Sequence, residues 1–320
     1  MNTTTFTEAA KMIEQTFPER FAQCYPRRII PPYGYGNPRH YAADLCALTV
    51  APLQQGAEGF YGGMHLCAQR LIELKTPTYF LHPDFFKAVA ETDLDKDFSM
   101  SDLEWPAEAM VFALPLKESR EYFGVEIPWI GVARIPSGRY RGPLASFETN
   151  FKDARFVIHF PVFGSSLPED FGGMWPIDGK LMELIQSMPF VDDAYLELHG
   201  KPGHPSMTEE QNKRVNAMAM SLGVKIILAM IAEPEHIEYG TCIRKEKPNP
   251  RPCKALDALW SPNFIGRRFA EKHQIRAEVK AGAHSSPRTH FRRGHFRRIV
   301  CGVGRAMRVV KWIKATWVNL

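Results

Sequence analysis

From Thr208 to Pro234 the chain carries a helix whose second half has almost no polar side. Thr208 followed by Gln211 is a capping box, in which hydroxyl and amide satisfy the backbone groups that open a helix. Val215, Met218, Ala219, Leu222, Ile226, Ala229 and Met230 then recur at helical spacing. From Leu222 to Ala232 the only charged residue is Lys225, and Pro234 cannot continue the helix. A helix that is apolar all round has to be enclosed. The rest of the chain must therefore cover it on several sides. Its most apolar part, Ala217 to Ala232, is shorter than the roughly 20 residues needed to span a bilayer, and no membrane association is expected.

The covering layer is written in short runs. Ala109 to Leu114, Trp129 to Ile135 and Phe156 to Phe160 are rich in aliphatic and aromatic residues, with proline or glycine near most ends, and read as strands. Before them, Thr7 to Phe17, Ala42 to Val50, Met64 to Leu74 and Phe85 to Ala90 read as helices, separated by a proline-rich stretch from Tyr25 to Pro38. Asp178 is expected to cap a helix through Met188, Ala194 to Leu198 reads as a strand, and Phe264 to Lys272 as a short helix. His290 to Val300 and Met307 to Val318 read as two strands turning around Gly302 and Gly304. In the second, Met307, Val309, Ile313 and Trp317 share one face and Val310, Trp312 and Val318 the other, which predicts an interior strand. The expected fold class is α+β: a mixed or antiparallel sheet, a long buried helix and a C-terminal β-hairpin. A mostly helical part, 1–105, would precede an α+β part with basic C-terminal strands, 106–320; the alternative is one continuous domain.

Charge is placed unevenly. Residues 266–320 hold 14 of the 40 lysines and arginines but only two acidic residues, Glu271 and Glu278, and none from Val279 onward. The remaining chain is net acidic. Arg292, Arg293, Arg297 and Arg298 alternate with His290, Phe291, His295 and Phe296. A strand points successive side chains to opposite faces, so both faces would carry guanidinium groups in search of partners. Those partners are the chain's own carboxylates, an acidic peptide, or nucleic acid, since the planar fork pairs carboxylate and phosphate alike and arginine with aromatics suits single-stranded RNA. Glu233, just before Pro234, sits at the negative end of the long helix and calls for a cation beside it, for which the C-terminal arginines are candidates.

Catalysis finds little support. GxSxG, GxxxxGK[ST] and HExxH are absent. Asp93, Asp95 and Asp97 begin like a calcium loop, but Phe98 stands where such a loop needs glycine. Asp192, Asp193, Glu197 and His199 could hold a metal and read more simply as solvent-facing strand charges. His290 and His295 would lie on opposite faces of a regular strand and so do not share an ion. The six cysteines, Cys24, Cys46, Cys67, Cys242, Cys253 and Cys301, form no CxxC pair and read as scattered thiols of a reducing compartment. Met1 to Thr7 has neither the basic cluster nor the apolar run of a signal peptide. No enzyme and no cofactor is expected.

Two segments, LAMIAEPEHIEYG at 228–240 and RTHFRRGHFRR…GVGR…RVVKWIKATWVN at 288–319, together resemble a family of mobile-element anti-CRISPR proteins directed at the type V-A effector nuclease. The matching positions are Ala232, Glu233, Pro234, His290, Arg292, Arg293, Gly294, His295, Gly302, Gly304, Trp312, Val318 and Asn319. Arg297 and Arg298 make this chain more basic there than the pattern requires. The resemblance implies a phage- or plasmid-borne inhibitor acting in the bacterial cytoplasm. It would bind a nascent or N-terminal segment of the nuclease chain and lower its production by bringing down its message during translation. Its binding residues would be Glu233, His290, Arg292, Arg293, His295, Phe296, Arg297 and Trp312, unless the shared motif is a signature of the fold instead of a contact surface. The alternative is an RNA-binding regulator using the same arginine and aromatic segment, with RNA or the ribosome as partner. A nuclease using Asp192, Asp193 and Glu197 is a third reading.

Overall fold

The computed structural model describes residues 6–24, 31–55, 62–74, 76–94, 98–103, 105–141, 148–163, 169–180, 183–184, 208–239, 262–270, 290–292, 294–305, 307–313 and 316–318. Four helices come first: α1 (Phe6–Thr16), α2 (Pro18–Cys24), α3 (Pro38–Gln55) and α4 (Gly62–Glu73). Then follow β1 (Thr78–Leu81), α5 (Pro83–Ala90), β2 (Ala109–Ala113), α6 (Leu116–Phe123), β3 (Trp129–Ile135), β4 (Gly138–Arg141), β5 (Glu148–Phe151), β6 (Arg155–Val162) and β7 (Glu169–Pro176). The long helix is α7 (Glu209–Ala232). It precedes β8 (Ile237–Glu238), β9 (Pro262–Ile265), β10 (His290–Arg292), β11 (His295–Cys301), β12 (Met307–Ile313) and β13 (Thr316–Val318).

Among the described residues the main sheet has seven strands in the order β7-β6-β3-β2-β1-β9-β8. It is mixed: β1 runs parallel to both β2 and β9, and the other pairs are antiparallel. A parallel neighbour needs a long crossover, and α5 lies in the one joining β1 to β2. Alternation along the strands divides the core in two. Met110, Phe112, Ile130, Val132, Phe156, Ile158 and Phe160 share one cluster with the apolar residues of α7 and α5. Ala109, Val111, Trp129, Ala133 and Val157 share the other with α3 and α4. Helices α3 and α4 thus cover one face of the main sheet, and α5 and α7 the other. Gly223 lets α7 settle on the sheet, since a Cβ there would lie 3.3 Å from Val132 and 3.4 Å from Ile158.

The capping box at Thr208 and Gln211 forms as expected, with both reciprocal bonds present, and the helix ends before Pro234. By length and composition Glu210–Ala232 could cross a membrane, at mean hydropathy 1.9, but 72% of that window is buried inside the protein, as befits a core helix. Lys225 is buried among these residues and donates to the Ala90 carbonyl at 3.1 Å. Burial holds its ammonium down to about 8, while the Asp93 charge pulls the other way. Lys225→Met should therefore stabilise the protein by about 2 kcal/mol at neutral pH, the relief of desolvation exceeding the lost hydrogen bond. With the folded pKa below the ordinary 10.5, the unfolded chain binds the extra proton between about 8 and 10.5, so this group's contribution to stability rises with pH across that window. Urea midpoints of the two proteins should converge as pH climbs through it.

Three expectations are corrected. Phe264 is not the start of a helix: it lies in β9, inside the main sheet, and among the described residues the helix there covers 267–270. Phe264, Ile265 and Phe269 fit a helical period, but the strand is decided by pairing with β1 and β8. The two expected C-terminal strands are each divided, into β10 and β11 around Gly294 and into β12 and β13 at 314–315. Finally, β12 is not interior. It pairs with β11 in a two-stranded hairpin outside the main sheet, turning through Gly302 and Gly304 at positive φ. Its second apolar face is surface, with Met307 58% and Val309 50% exposed. Of the expected helix from Asp178 through Met188, 183–184 are helical, with the Leu184 N–H donating to the Lys180 carbonyl at 2.9 Å; 181–182 and 185–188 lie outside the described residues, as do the strand Ala194 to Leu198, Asp192, Asp193, Glu197, His199, Cys242 and Cys253.

Candidate binding surface on the C-terminal hairpin

Register fixes which hairpin residues act together. Phe296 faces Trp312 and Arg298 faces Val310 on one side; His295 faces Ile313, Arg297 faces Lys311, Ile299 faces Val309 and Cys301 faces Met307 on the other. The first side docks. Trp312 stacks on Phe296 at 5.9 Å and on Phe269 at 5.7 Å, and meets Phe85 of α5 edge-on at 5.7 Å. His236 closes the cluster against Phe85 and Phe269. The indole N–H donates to the Thr92 hydroxyl at 3.1 Å, and that hydroxyl donates to the Ala88 carbonyl at 2.7 Å. A buried tryptophan thus finds the polar partner it needs. Backbone bonds complete the docking, for Asp93 N–H donates to the Gly294 carbonyl at 2.9 Å and Asp93 bridges His295.

The second side faces outward. Where β11 leaves the body, Asp93, Leu94, His295, Phe296 and Arg297 line an open cleft of about 360 Å³. Arg297 and Lys311 are exposed and directly opposite, and neither makes an ion pair among the described residues. Like charges facing each other across a ladder repel, which leaves a place for an anion. Apolar groups flank them: Val309 and Met307 on this side, Val300 (49%) on the other and Val303 (100%) at the turn.

The residues anticipated from sequence divide into four groups. His295, Phe296 and Arg297 line the cleft. Trp312 is 3% exposed, so it holds the hairpin and does not touch a partner directly. Glu233 caps the end of α7 and meets His236 Nε2 at 2.6 Å. His290 and Arg292 belong to β10, paired with β13; their side chains, and all of Arg293, lie outside the described residues. Of the supposed calcium loop, Asp93 serves the cleft, and 95–97 lie outside the described residues. Lys311, Asp93 and Leu94 were missed. Lys311 was legible once a hairpin register was drawn, whereas Asp93 and Leu94 reach the site only through the docking of α5.

The sequence profile of the AcrVA2-like family, described as the anti-CRISPR type V subtype A2 family, matches residues 79–320. The chain belongs to that anti-CRISPR family. It is a CRISPR inhibitor, and its partner is a component of a CRISPR system. The match takes in α7, the cleft and the hairpin, and leaves out the four N-terminal helices. The crystal structure of AcrVA2 aligns with 98% of this chain and 99% of that chain, at 15% identity and a TM-score of 0.41, a distance at which residues are not transferred. None of the curated proteins matches. Within this anti-CRISPR chain, the outward hairpin face combines exposed apolar surface with unneutralised positive charge.

Proposed function

We propose that this inhibitor captures a segment of the type V-A effector nuclease chain on the outward face of β11 and β12 and in the adjoining cleft. It thereby lowers production of the nuclease by acting on its message during translation, in the cytoplasm of the bacterial host. It works by binding, without catalysis and without a cofactor. One observation carries the reading: Arg297 and Lys311 face each other in solvent, without ion pairs among the described residues, beside exposed Val309 and Met307. A nuclease segment carrying acidic and apolar residues would satisfy both features, with the charges steering encounter and the apolar groups slowing release.

The test is retention of overlapping nuclease fragments on the immobilised protein, beside nuclease and message levels on co-expression. The double change Arg297→Glu and Lys311→Glu should weaken fragment binding at least about tenfold through charge reversal, and leave the melting temperature nearly unchanged because both groups are exposed. No retained fragment together with unaltered nuclease levels would remove the proposal. The same cation pair also favours a second reading, an RNA-binding regulator. In that case retention of single-stranded RNA should fall steeply with salt through counterion release, while fragment capture should fall gently.

A further inference from the structure

On the opposite face of the sheet, under α3, lies a polar cluster that the hairpin does not explain. Asp44 of α3, His159 of β6 and Asp170 of β7 converge there. His159 Nε2 stands 3.6 Å from Asp44 Oδ2 and 3.6 Å from Asp170 Oδ1, and the three ligand atoms all lie within 4.8 Å of one another. The His159 side chain is fully buried and that of Asp44 is 5% exposed; Asp170, at 21%, forms the rim. Among the described residues none of the three converging atoms has a hydrogen-bond partner.

The tautomer makes the arrangement diagnostic. His159 Nδ1 lies 3.2 Å from the Phe171 carbonyl, which can only accept, so Nδ1 carries the proton. In the neutral ring Nε2 then presents a lone pair to two carboxylate oxygens, three electron-rich atoms turned on one point in a buried site. A cation held by all three would balance them. A second proton on the ring would not bind both carboxylates, because the 3.6 Å separations exceed hydrogen-bond length.

We infer that Asp44, His159 and Asp170 form a structural site for a divalent transition cation such as zinc, with water in the fourth position at the Asp170 rim. With metal–ligand bonds of roughly 2.0–2.1 Å a tetrahedral ion sets its ligands about 3.3–3.4 Å apart, so the two histidine–carboxylate separations of 3.6 Å need contract by only a few tenths of an ångström, and the two carboxylate oxygens lie within 4.8 Å of each other. Donation from the far ring nitrogen to a backbone carbonyl is the outer-shell bond that orients metal-bound histidines. His159 pairs with Gly172 of β7, where φ is +152° and a Cβ would lie 2.1 Å from the Ile158 carbonyl oxygen, so glycine is needed for the strands to approach this closely beneath the site. Trp129 packs edge-on against the imidazole at 5.0 Å. The ion would pin α3 to β6 and β7, far from the hairpin, so this site and the nuclease-binding reading stand or fall separately.

The experiment uses the full chain, purified without a metal column, stripped with chelator, desalted, and incubated with zinc or manganese chloride alone. Metal content after a second desalting and the melting temperature are read together. About one equivalent of retained zinc per chain, with a melting temperature raised by several degrees, is expected, since an ion bound to the native state alone stabilises it. Asp170→Asn, changed at the exposed rim, should cut retention about tenfold or more and match the stripped wild type in melting temperature. Wild type that keeps neither metal, or Asp170→Asn that keeps as much as wild type, overturns the site. Should that variant fail to fold, X-ray absorption on the zinc-loaded wild type decides: nitrogen and oxygen neighbours alone support it, and any sulfur neighbour places the ion elsewhere.

Discussion

Replacing Trp312 by alanine is expected to cost about 3–5 kcal/mol, the usual range for removing a buried large aromatic from a packed core. The indole is the centre of the joint between hairpin and body, touching Phe85, Phe269 and Phe296. Removing it also strips the Thr92 hydroxyl of its donor. The urea midpoint should fall, proteolysis within the hairpin should accelerate, and capture of nuclease fragments should be lost with it. Trp312→Phe separates the contributions. It keeps a ring between Phe269 and Phe296 and forfeits the N–H bond, for a loss of about 1 kcal/mol, while Thr92 keeps its bond to the Ala88 carbonyl. A Trp312→Ala protein with unchanged urea midpoint would mean that the hairpin is held by other contacts.

Gly266→Ala should be nearly as damaging, at about 4 kcal/mol, from two sources that add. Gly266 sits at φ +93°, where a side chain is strained by roughly 1–3 kcal/mol. A Cβ there would also lie 2.2 Å from the Phe85 Cβ and 2.5 Å from its Cγ, atoms close to the α5 backbone that cannot swing aside, adding about 1–3 kcal/mol of overpacking. The position is fixed by its N–H, which donates to the His236 carbonyl at 3.0 Å. Gly34 is the natural control: its φ is +91° but nothing lies within 4 Å of its added Cβ, so Gly34→Ala should cost only about 1 kcal/mol. Urea unfolding of the two variants side by side measures the difference. Equal losses would show that the approach of Phe85 is not limiting.

How far the sequence foretold the molecule depended on how local each decision is. Helix α7 was legible because its cap, its apolar run and its proline stop lie within one segment, and a helix satisfies its own backbone. β2, β3 and β6 were legible because strands buried on both faces need unbroken apolar runs. β7 was not: EDFGGMWP has neither the composition nor the alternation of a strand, and it exists because its backbone pairs along β6. The arginine-rich tail announced a surface of positive charge, and its cleft residues His295 and Arg297 were named through the family resemblance. The sequence by itself determined the elements whose hydrogen bonds and apolar faces close within a few residues, and the likeness to its family. Tertiary structure alone decided that β12 shows one apolar face to solvent, that Trp312 faces inward, and that Asp44, His159 and Asp170 meet. Pairing and burial join residues far apart along the chain, and no local pattern records which distant group will lie opposite.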